Sequence, residues 1–196
     1  FDNLPRPFKR YQLGTVWRNE KPGPGRFREF LQFDADYVGT SNLLADSELC
    51  VLISEILERC GLANNEFNIK ISNRKLSKGL LEELNITDQN QQAISLRAID
   101  KLDRVGIEGV RLLLGKGRKD KSGDFTDGAQ LEEKQIKKII EFLNSKDLNQ
   151  LEQTGCKNKL FEEGINELKQ IVKNFNFFKF NNFKIDPTVV RGLEYY

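Results

Sequence analysis

The sequence predicts an α+β fold in which adjacent antiparallel strands lie apart from a run of helices. Residues 8–38 hold two segments of period-two alternation around a loop rich in proline and glycine, which is typical of a β-hairpin. Residues 75–156 are rich in helical periodicity. With 196 residues and 38% hydrophobic side chains, the chain is long enough for one sizeable core, or for a core with a smaller insertion.

The two faces of the predicted hairpin differ in character. Along both alternating segments, residues 10–18 and 26–37, the odd-numbered side chains are mostly apolar. The intervening "NEKPGPG" has the proline and glycine residues of a turn. The even-numbered side chains of the second segment are charged, polar or aromatic: Arg26, Arg28, Phe30, Gln32, Asp34 and Asp36.

This even-numbered face is a candidate binding surface. Arginine side chains bind phosphate oxygens in a bidentate manner, and an aromatic ring on the same face can stack on a purine. Amide and acidic groups farther along can hold a cationic or polar small molecule. The pattern therefore favours a site for a nucleotide and an amino acid placed end to end. A solvated hairpin with surface ion pairs is the alternative that the pattern alone leaves open.

The rest of the chain is predicted to run in the order helix, strand, helical stretch, helix and strand. The first helix covers residues 46–60 and is followed by Gly61 at the C′ position. Its apolar stripe consists of Leu49, Leu52, Ile53, Ile56 and Cys60. The later elements are a strand at 67–74, helices within 75–156 and at 161–175, and a strand-like segment at 178–196.

Composition excludes several kinds of site. The chain contains no histidine, which rules out a Ser-His-Asp triad, a Cys-His pair and a histidine-ligated metal within it. Cys50, Cys60 and Cys156 form no C-x-x-C motif, so we predict buried free thiols and no metal site. The net charge is only +2, so an anion site must be local. No apolar run approaches the length of a membrane span, and we predict a cytoplasmic protein with no membrane partner.

A glycine-rich, charged loop is predicted at residues 115–128, and its first part, "GKGRKDK" at 115–121, is basic. It lacks the G-x-x-x-x-G-K-[ST] spacing of a P-loop, so we exclude that kind of phosphate site. Its four basic residues and one acidic residue are consistent with contact to a nucleic-acid backbone. A solvated loop without a partner is equally consistent with this composition.

Two segments resemble a known family. "FKRYQLGTVWRNEKPGPGRFREFLQFDADYVG", residues 8–39, resembles motif 2 of class II aminoacyl-tRNA synthetases in its histidyl-tRNA synthetase form. The motif pattern R-x-E, loop, R-x-x-x-F corresponds to Arg18 to Glu20 and Arg26 to Phe30. "VRGLEYY" at the end of the chain resembles the histidine signature R-G-L-D-Y-Y, with Glu194 in place of the aspartate. The resemblance covers nearly the whole chain, least clearly residues 129–180.

The resemblance implies ATP-dependent activation of histidine and its attachment to the tRNA for histidine. The histidine carboxylate would attack the α-phosphorus of ATP, so the substrates would be histidine, ATP and tRNA, with Mg²⁺ accompanying ATP. This attack needs alignment and neutralised phosphate charge, and it needs no proton-transferring base. A chain without histidine residues can meet these requirements.

The resemblance also implies roles for individual residues on the ATP side. Arg18 would contact the α-phosphate, and it belongs to both the ATP site and the histidine site. Glu20 would lie near the adenine and the tRNA end, Arg26 over the γ-phosphate, and Phe30 would stack on the adenine. Arg191 would approach the α-phosphate from the other side, which makes Arg18 and Arg191 the predicted catalytic residues.

On the histidine side, the resemblance implies that Gln32 holds the α-amino group and that Asp36 is an acid of the histidine pocket. Arg191 would reach the carboxylate, and Tyr195 and Tyr196 would line the imidazole pocket. Structural readings of the same residues stay open, because tyrosines are common in strands and an arginine often pairs with an acid for structural reasons alone.

The predicted organisation has three parts: a first catalytic segment at 1–74, a helical insertion at 75–156 and a second catalytic segment at 157–196. Motif 1, motif 3 and an anticodon-binding domain are not found, so we expect a fragment of a larger synthetase. The isolated fragment is expected to be inactive, and the full-length parent is expected to form a homodimer. The helical insertion is expected to contact the acceptor arm of the tRNA.

Two other functions are weighed against this one. The first is a non-catalytic synthetase paralogue that senses histidine as the regulatory subunit of ATP phosphoribosyltransferase. The second is a tRNA-binding module without a small-molecule site. Retention of Arg18, Arg26 and the "RGLEYY" segment favours the synthetase.

Overall fold

A computed structural model of the chain describes residues 4–19, 21–119 and 123–190. The chain divides into two units, Phe1–Leu52 and Ile53–Tyr196. The strands are β1 (Phe8–Trp17), β2 (Glu29–Val38), β3 (Ile69–Ile71), β4 (Gly117–Lys119), β5 (Phe125–Asp127) and β6 (Phe183–Ile185). The helices are α1 (Leu44–Arg59), α2 (Arg74–Glu83), α3 (Gln89–Asp100), α4 (Leu102–Leu114), α5 (Glu133–Leu143), α6 (Leu148–Gln153) and α7 (Lys159–Phe178).

The predicted hairpin is confirmed, and β1 and β2 pair along their full lengths. The antiparallel register runs from Phe8 opposite Val38 to Trp17 opposite Glu29. In this register every even-numbered residue of β1 faces an even-numbered residue of β2, because the numbers of each pair sum to an even value. Side chains that alternate along each strand are therefore collected on one face of the hairpin, as the alternation predicts.

Exposure of the hairpin is the reverse of what polarity alone would suggest. The apolar, odd-numbered face is open, and Tyr11, Trp17 and Leu31 are 78%, 70% and 69% exposed. On the even-numbered face, in contrast, Phe30 and Gln32 are half-buried. Phe30 and Gln32 are thus more sheltered than these three side chains of the apolar face.

Helix α1 ends at the predicted glycine. Gly61 has φ of +98°, a conformation that favours glycine, and the amide of Leu62 donates to the carbonyl of Leu57. This is the six-to-one bond of a Schellman cap. Beside it, Cys60 is exposed, so the prediction of a buried thiol was wrong at this position.

The buried stripe of α1 differs from the predicted one. Ile53 is 47% exposed, whereas Ser47 and Ser54 are buried. Burial of a hydroxyl is tolerated when it is hydrogen-bonded, and the Oγ of Ser47 donates to the carbonyl of Leu43 at 2.8 Å. The spacing of apolar residues did not predict this stripe, because serine is polar and was not counted among the residues expected to be buried.

The second unit is built around a short parallel pair, in which β3 lies beside β6 with Ile69 opposite Phe183 and Ile71 opposite Ile185. The strand predicted at 67–74 is shorter, because the chain turns at Asn73 to begin α2. The side chain of Asn73 accepts a hydrogen bond from the Lys75 amide, which caps the helix.

Helices α2 and α7 run antiparallel and pack closely. Asn158 caps α7 and also donates to Glu82 near the end of α2. Two glycines allow the close approach. A Cβ at Gly79 would lie 2.5 Å from the Phe161 backbone nitrogen, and one at Gly164 would lie 3.0 Å from a Leu76 methyl group. The predicted helix at 161–175 is confirmed as the central part of α7.

The core of this unit is formed by apolar faces of the helices and by a cluster of aromatic rings. Phe175 packs against Phe180 and Phe183, with ring centroids 5.0 and 4.6 Å apart. Side chains that are less than 2% exposed include Leu76, Ile86, Val110, Leu114, Ile139, Phe142, Leu151 and Leu168. Within the described ranges, no helix combines the length and the apolar character needed to cross a bilayer.

The segment predicted as a loop at 115–128 contains a small hairpin, in which β4 and β5 pair with Lys119 opposite Phe125. Glycine makes this hairpin possible. Gly117 has φ of +114°, and a Cβ at either Gly117 or Gly128 would collide with backbone atoms across the turn. The loop prediction was wrong here because glycine and charge outweighed the short β-type pattern.

The α+β class with antiparallel pairs and a helical block is confirmed. Helices α2 to α7 lie in sequence between two strands, β3 and β6, that pair with each other. The three-part division at 74 and 156 stays a prediction.

Candidate functional site

The candidate site is the even-numbered face of the β1–β2 hairpin. At its loop end, Arg18, Phe30 and Gln32 lie together. The Nη2 of Arg18 donates to Oε1 of Gln32 at 2.7 Å, and the Arg18 guanidinium lies 5.1 Å from the centroid of the Phe30 ring. The structure thus brings together three of the predicted site residues, with the cation over the aromatic face.

The amide of Gln32 has a second charged neighbour on its other side. Its Nε2 donates to both carboxylate oxygens of Asp34, each at 2.8 Å. The Gln32 side chain therefore connects a cation to an anion, and both ends of the amide are hydrogen-bonded. The alternation predicted Asp34 on this face, but no individual role was predicted for it.

At the other end of the face, Asp36 has an arginine partner. The Nε of Arg10 lies 3.5 Å from Oδ2 of Asp36, and the Nη2 of Arg10 donates to Gln12 at 2.6 Å. Arg10 and Asp36 are directly opposite in the register. Arg10 was not predicted as a site residue, although its even number places it on the same face of the hairpin as Asp36.

The turn between the strands fixes the backbone of Arg26. Gly23 and Arg26 exchange two backbone hydrogen bonds, at 3.1 and 2.9 Å, and Gly25 between them has φ of +69°. The amide of Arg18 donates to the carbonyl of Arg28 at 2.8 Å, which continues the strand pairing into the loop. The glycines therefore allow a tight turn at Arg26, and the strand pairing continues as far as Arg18.

Four predicted site residues, Glu20, Arg191, Tyr195 and Tyr196, lie outside the described residues. Their roles stay predictions. The described part of the site therefore consists of the motif 2 residues alone.

The opposite face of the hairpin carries a separate ionic cluster. Lys9 donates to Glu48 of α1 at 2.7 Å and lies 4.8 Å from the centroid of the Tyr37 ring. The hydrogen bond with Glu48 raises the pKa of Lys9, and the same bond lowers the pKa of Glu48. Burial raises the pKa of Tyr37. This cluster fastens α1 to β1 and has no part in the even-numbered face.

Cys50 and Cys156 offer no activated thiolate. Burial, together with the nearby charge of Asp46, raises the pKa of the Cys50 thiol to about 11, and burial also raises the pKa of Cys156. Both thiols are therefore protonated near neutral pH. Across the residues that the structure describes, no three acidic or thiol side chains are grouped closely enough to hold a metal ion.

The chemical character of the side chains on this face changes along the two paired strands, which contain about 20 residues in total. Cationic and aromatic groups lie near the turn, an amide lies in the middle, and a carboxylate lies at the far end. Such an order suits a ligand with an anionic, aromatic-containing part at one end and a cationic or hydrogen-bonding part at the other.

The whole chain is similar to known proteins. The sequence matches the histidyl-tRNA synthetase family over residues 2–196. It is 47% identical over 206 residues to a histidine–tRNA ligase of Brucella ovis, covering 100% of this chain and 41% of that protein. It is 46% identical to the corresponding enzyme of Bartonella henselae, covering 42% of it. The chain thus spans about two fifths of the length of these curated relatives.

Solved structures show the same fold. A histidyl-tRNA synthetase from Nostoc matches the whole chain with a TM-score of 0.80 and 30% identity, over 43% of the Nostoc chain. A Bacillus halodurans protein described as an ATP phosphoribosyltransferase regulatory subunit/histidyl-tRNA synthetase matches with a TM-score of 0.76, but at 17% identity it supports the fold alone. The family match over nearly the full chain, supported by these relatives, shows that the chain belongs to the histidyl-tRNA synthetase family.

Proposed function

We propose that the full-length protein containing this chain activates histidine with ATP and then transfers it to the tRNA for histidine. The observation that carries the proposal is the arrangement of Arg18, Phe30 and Gln32 on one face of the hairpin, with distances of 2.7 and 5.1 Å. The resemblance to motif 2 implies that these residues contact the α-phosphate, the adenine and the α-amino group. A ligand that extends over all three would be an aminoacyl-adenylate.

Catalysis would come from alignment and charge neutralisation. Arg18 is proposed to hold the α-phosphate while the histidine carboxylate attacks it, and Arg26 is proposed to contact the γ-phosphate across the turn. A preorganised cation next to the developing negative charge lowers the barrier without transferring a proton. Mg²⁺ would arrive with ATP and neutralise further phosphate charge. Outside the described residues, Arg191 would complete the pair of arginines.

Recognition of histidine would depend on Gln32 and Asp36. The α-ammonium of histidine needs a hydrogen-bond acceptor, and Oε1 of Gln32 provides one close to Arg18. An imidazole N–H needs an acceptor as well, and Asp36 is the proposed one. Arg10 contacts Oδ2 of Asp36, so the imidazole N–H can donate a hydrogen bond to Oδ1 without breaking the ion pair.

The second step requires the acceptor arm of the tRNA, and we propose that the β4–β5 hairpin contributes to holding it. Lys116 and Lys119 are exposed there, and Arg118 lies between them. Lysine and arginine side chains bind phosphates with little sequence preference. A homodimer and a cytoplasmic location also remain part of the proposal for the full-length protein.

Histidine-dependent exchange of labelled pyrophosphate into ATP by the full-length protein tests the first step. We expect exchange that requires histidine and no tRNA. A histidine-sensing regulatory subunit would bind histidine without exchange, so binding with no exchange would contradict the proposal. A tRNA-binding module would show neither, and a thermal shift with histidine and ATP would identify that case.

A further inference from the structure

The strongest unassigned feature of the site is the carboxylate of Asp34. It lies on β2 between two proposed histidine-binding residues, Gln32 and Asp36, and it is half-buried. Both of its oxygens accept hydrogen bonds from Nε2 of Gln32 at 2.8 Å. From this geometry we infer that Asp34 is a positioning residue that sets the orientation of the Gln32 amide for histidine binding, an inference that rests on the proposed function.

A glutamine amide has two orientations with opposite chemistry. In one, its NH₂ group faces a given neighbour, and in the other its carbonyl oxygen does. Asp34 accepts hydrogen bonds and cannot donate them when it is ionised, whereas Arg18 only donates them. With Asp34 on one side and Arg18 on the other, the pairing is satisfied in one orientation alone, with the NH₂ group toward Asp34 and the oxygen toward Arg18.

This orientation is the one that an amino-acid substrate requires. An α-ammonium group carries only donors, so it needs the oxygen of Gln32 and would be repelled by its NH₂ group. The oxygen already faces Arg18, where the substrate carboxylate and the α-phosphate are proposed to meet. Asp34 would thus act on histidine through Gln32, and its charge also offsets the positive charge of Arg18 beside the incoming ammonium.

The test compares Asp34→Ala and Asp34→Asn in the full-length protein by histidine-dependent pyrophosphate exchange. Loss of a hydrogen bond to a charged group predicts a roughly 10- to 100-fold higher KM for histidine in Asp34→Ala, with the KM for ATP little changed. Asp34→Asn keeps an acceptor oxygen and should show a smaller rise. Glu29→Gln removes a carboxylate from the opposite face of the same strand, where it accepts from Trp17 at 3.0 Å, and should leave both KM values unchanged.

A double-mutant cycle separates positioning from general damage to the hairpin. If Asp34 acts through Gln32, adding Asp34→Ala to Gln32→Ala should raise the histidine KM no further. Additive effects, equal rises in both KM values, or a normal histidine KM in Asp34→Ala would overturn the inference. If Asp34→Ala does not fold, Asp34→Asn carries the same test. Absence of exchange in the unmodified protein would instead overturn the proposed function, and with it this role of Asp34.

Discussion

The Nη2 of Arg18 lies 2.7 Å from Oε1 of Gln32, although 14 residues separate them in sequence. The contact joins the end of one hairpin strand to the middle of the other. It places the proposed phosphate contact beside the proposed amino-group contact before any substrate is present. Because the carboxylate and the amino group of an amino acid share one carbon atom, their binding groups must lie this close together.

The contact between α2 and α7 predicts the cost of a small substitution. Gly79→Ala should destabilise the 196-residue chain by about 1–3 kcal/mol, because the new Cβ meets the backbone nitrogen of Phe161 at 2.5 Å. Gly164→Ala is the comparison variant and should cost less, since its Cβ would lie 3.0 Å from a Leu76 methyl group and 3.2 Å from the Leu76 backbone nitrogen. Urea denaturation of both variants measures the difference, and equal stabilities would contradict the packing described here.

Glu167 predicts a pH dependence of stability. Burial alone would raise the pKa of this carboxyl, but hydrogen bonds from Lys75 and Asn73, both at 2.6 Å, outweigh burial and lower it. A carboxyl with a lowered pKa in the folded state stabilises the fold above its unfolded pKa, and this contribution is lost as the pH falls through the folded pKa.

We therefore expect Glu167→Gln to lower the free energy of unfolding by about 1 kcal/mol or less at about pH 7, and to have a smaller effect at about pH 3. Glu163→Gln is the control, because Glu163 contacts Lys75 at the longer distance of 3.4 Å. Urea titrations at both pH values supply the data. A cost for Glu167→Gln that does not change with pH would rule out this electrostatic origin.

Lys116 and Lys119 are expected to matter for tRNA and not for adenylate formation. Replacing both with glutamine in the full-length protein should weaken tRNA binding and reduce the slope of log affinity against log salt by about 1 for each lost phosphate contact. Pyrophosphate exchange needs no tRNA and should be unchanged. Lys159→Gln with Lys173→Gln on α7 removes the same charge and should have little effect. If the slope of log affinity against log salt is unchanged in the β4–β5 variant, the hairpin does not contact the tRNA.

Asp36 is expected to control the affinity for histidine. Asp36→Ala in the full-length protein should raise the KM for histidine roughly 10- to 100-fold, since a charge-assisted hydrogen bond to the imidazole is lost. The KM for ATP should change much less. Glu48→Gln is the control, because Glu48 lies on α1 and pairs with Lys9 on the odd-numbered face of the hairpin. If the histidine KM of Asp36→Ala is normal, the acid of the imidazole pocket must come from another residue.

The sequence predicted the hairpin and its two faces well, because alternation and the register depend only on local pattern and on the symmetry about the turn. The same logic placed Arg18, Phe30, Gln32 and Asp36 on one side. Gly61 was also predictable, since few other residues adopt the left-handed conformation that the cap of α1 requires.

Contacts between individual side chains could not be predicted from the sequence. Alternation puts Asp34 on the face but cannot tell that both of its oxygens bind Gln32, because that depends on side-chain rotamers. Predicting the ion pair of Arg10 with Asp36 requires the strand register, because even numbering alone shows only that both residues lie on the same face. The buried serines of α1 and the pairing of β4 with β5 were not predicted for a similar reason. Both depend on contacts between residues distant in sequence, which local composition does not report.

Single-turnover formation of histidyl-adenylate by the full-length protein tests the central claim most directly. The unmodified protein should form adenylate from histidine and ATP, and Arg18→Ala should do so on the order of 10²–10³ times more slowly. Arg97→Ala, which removes an exposed arginine from α3, should react at the normal rate. A near-normal rate in a folded Arg18→Ala variant would contradict the proposed role of this hairpin in histidine activation.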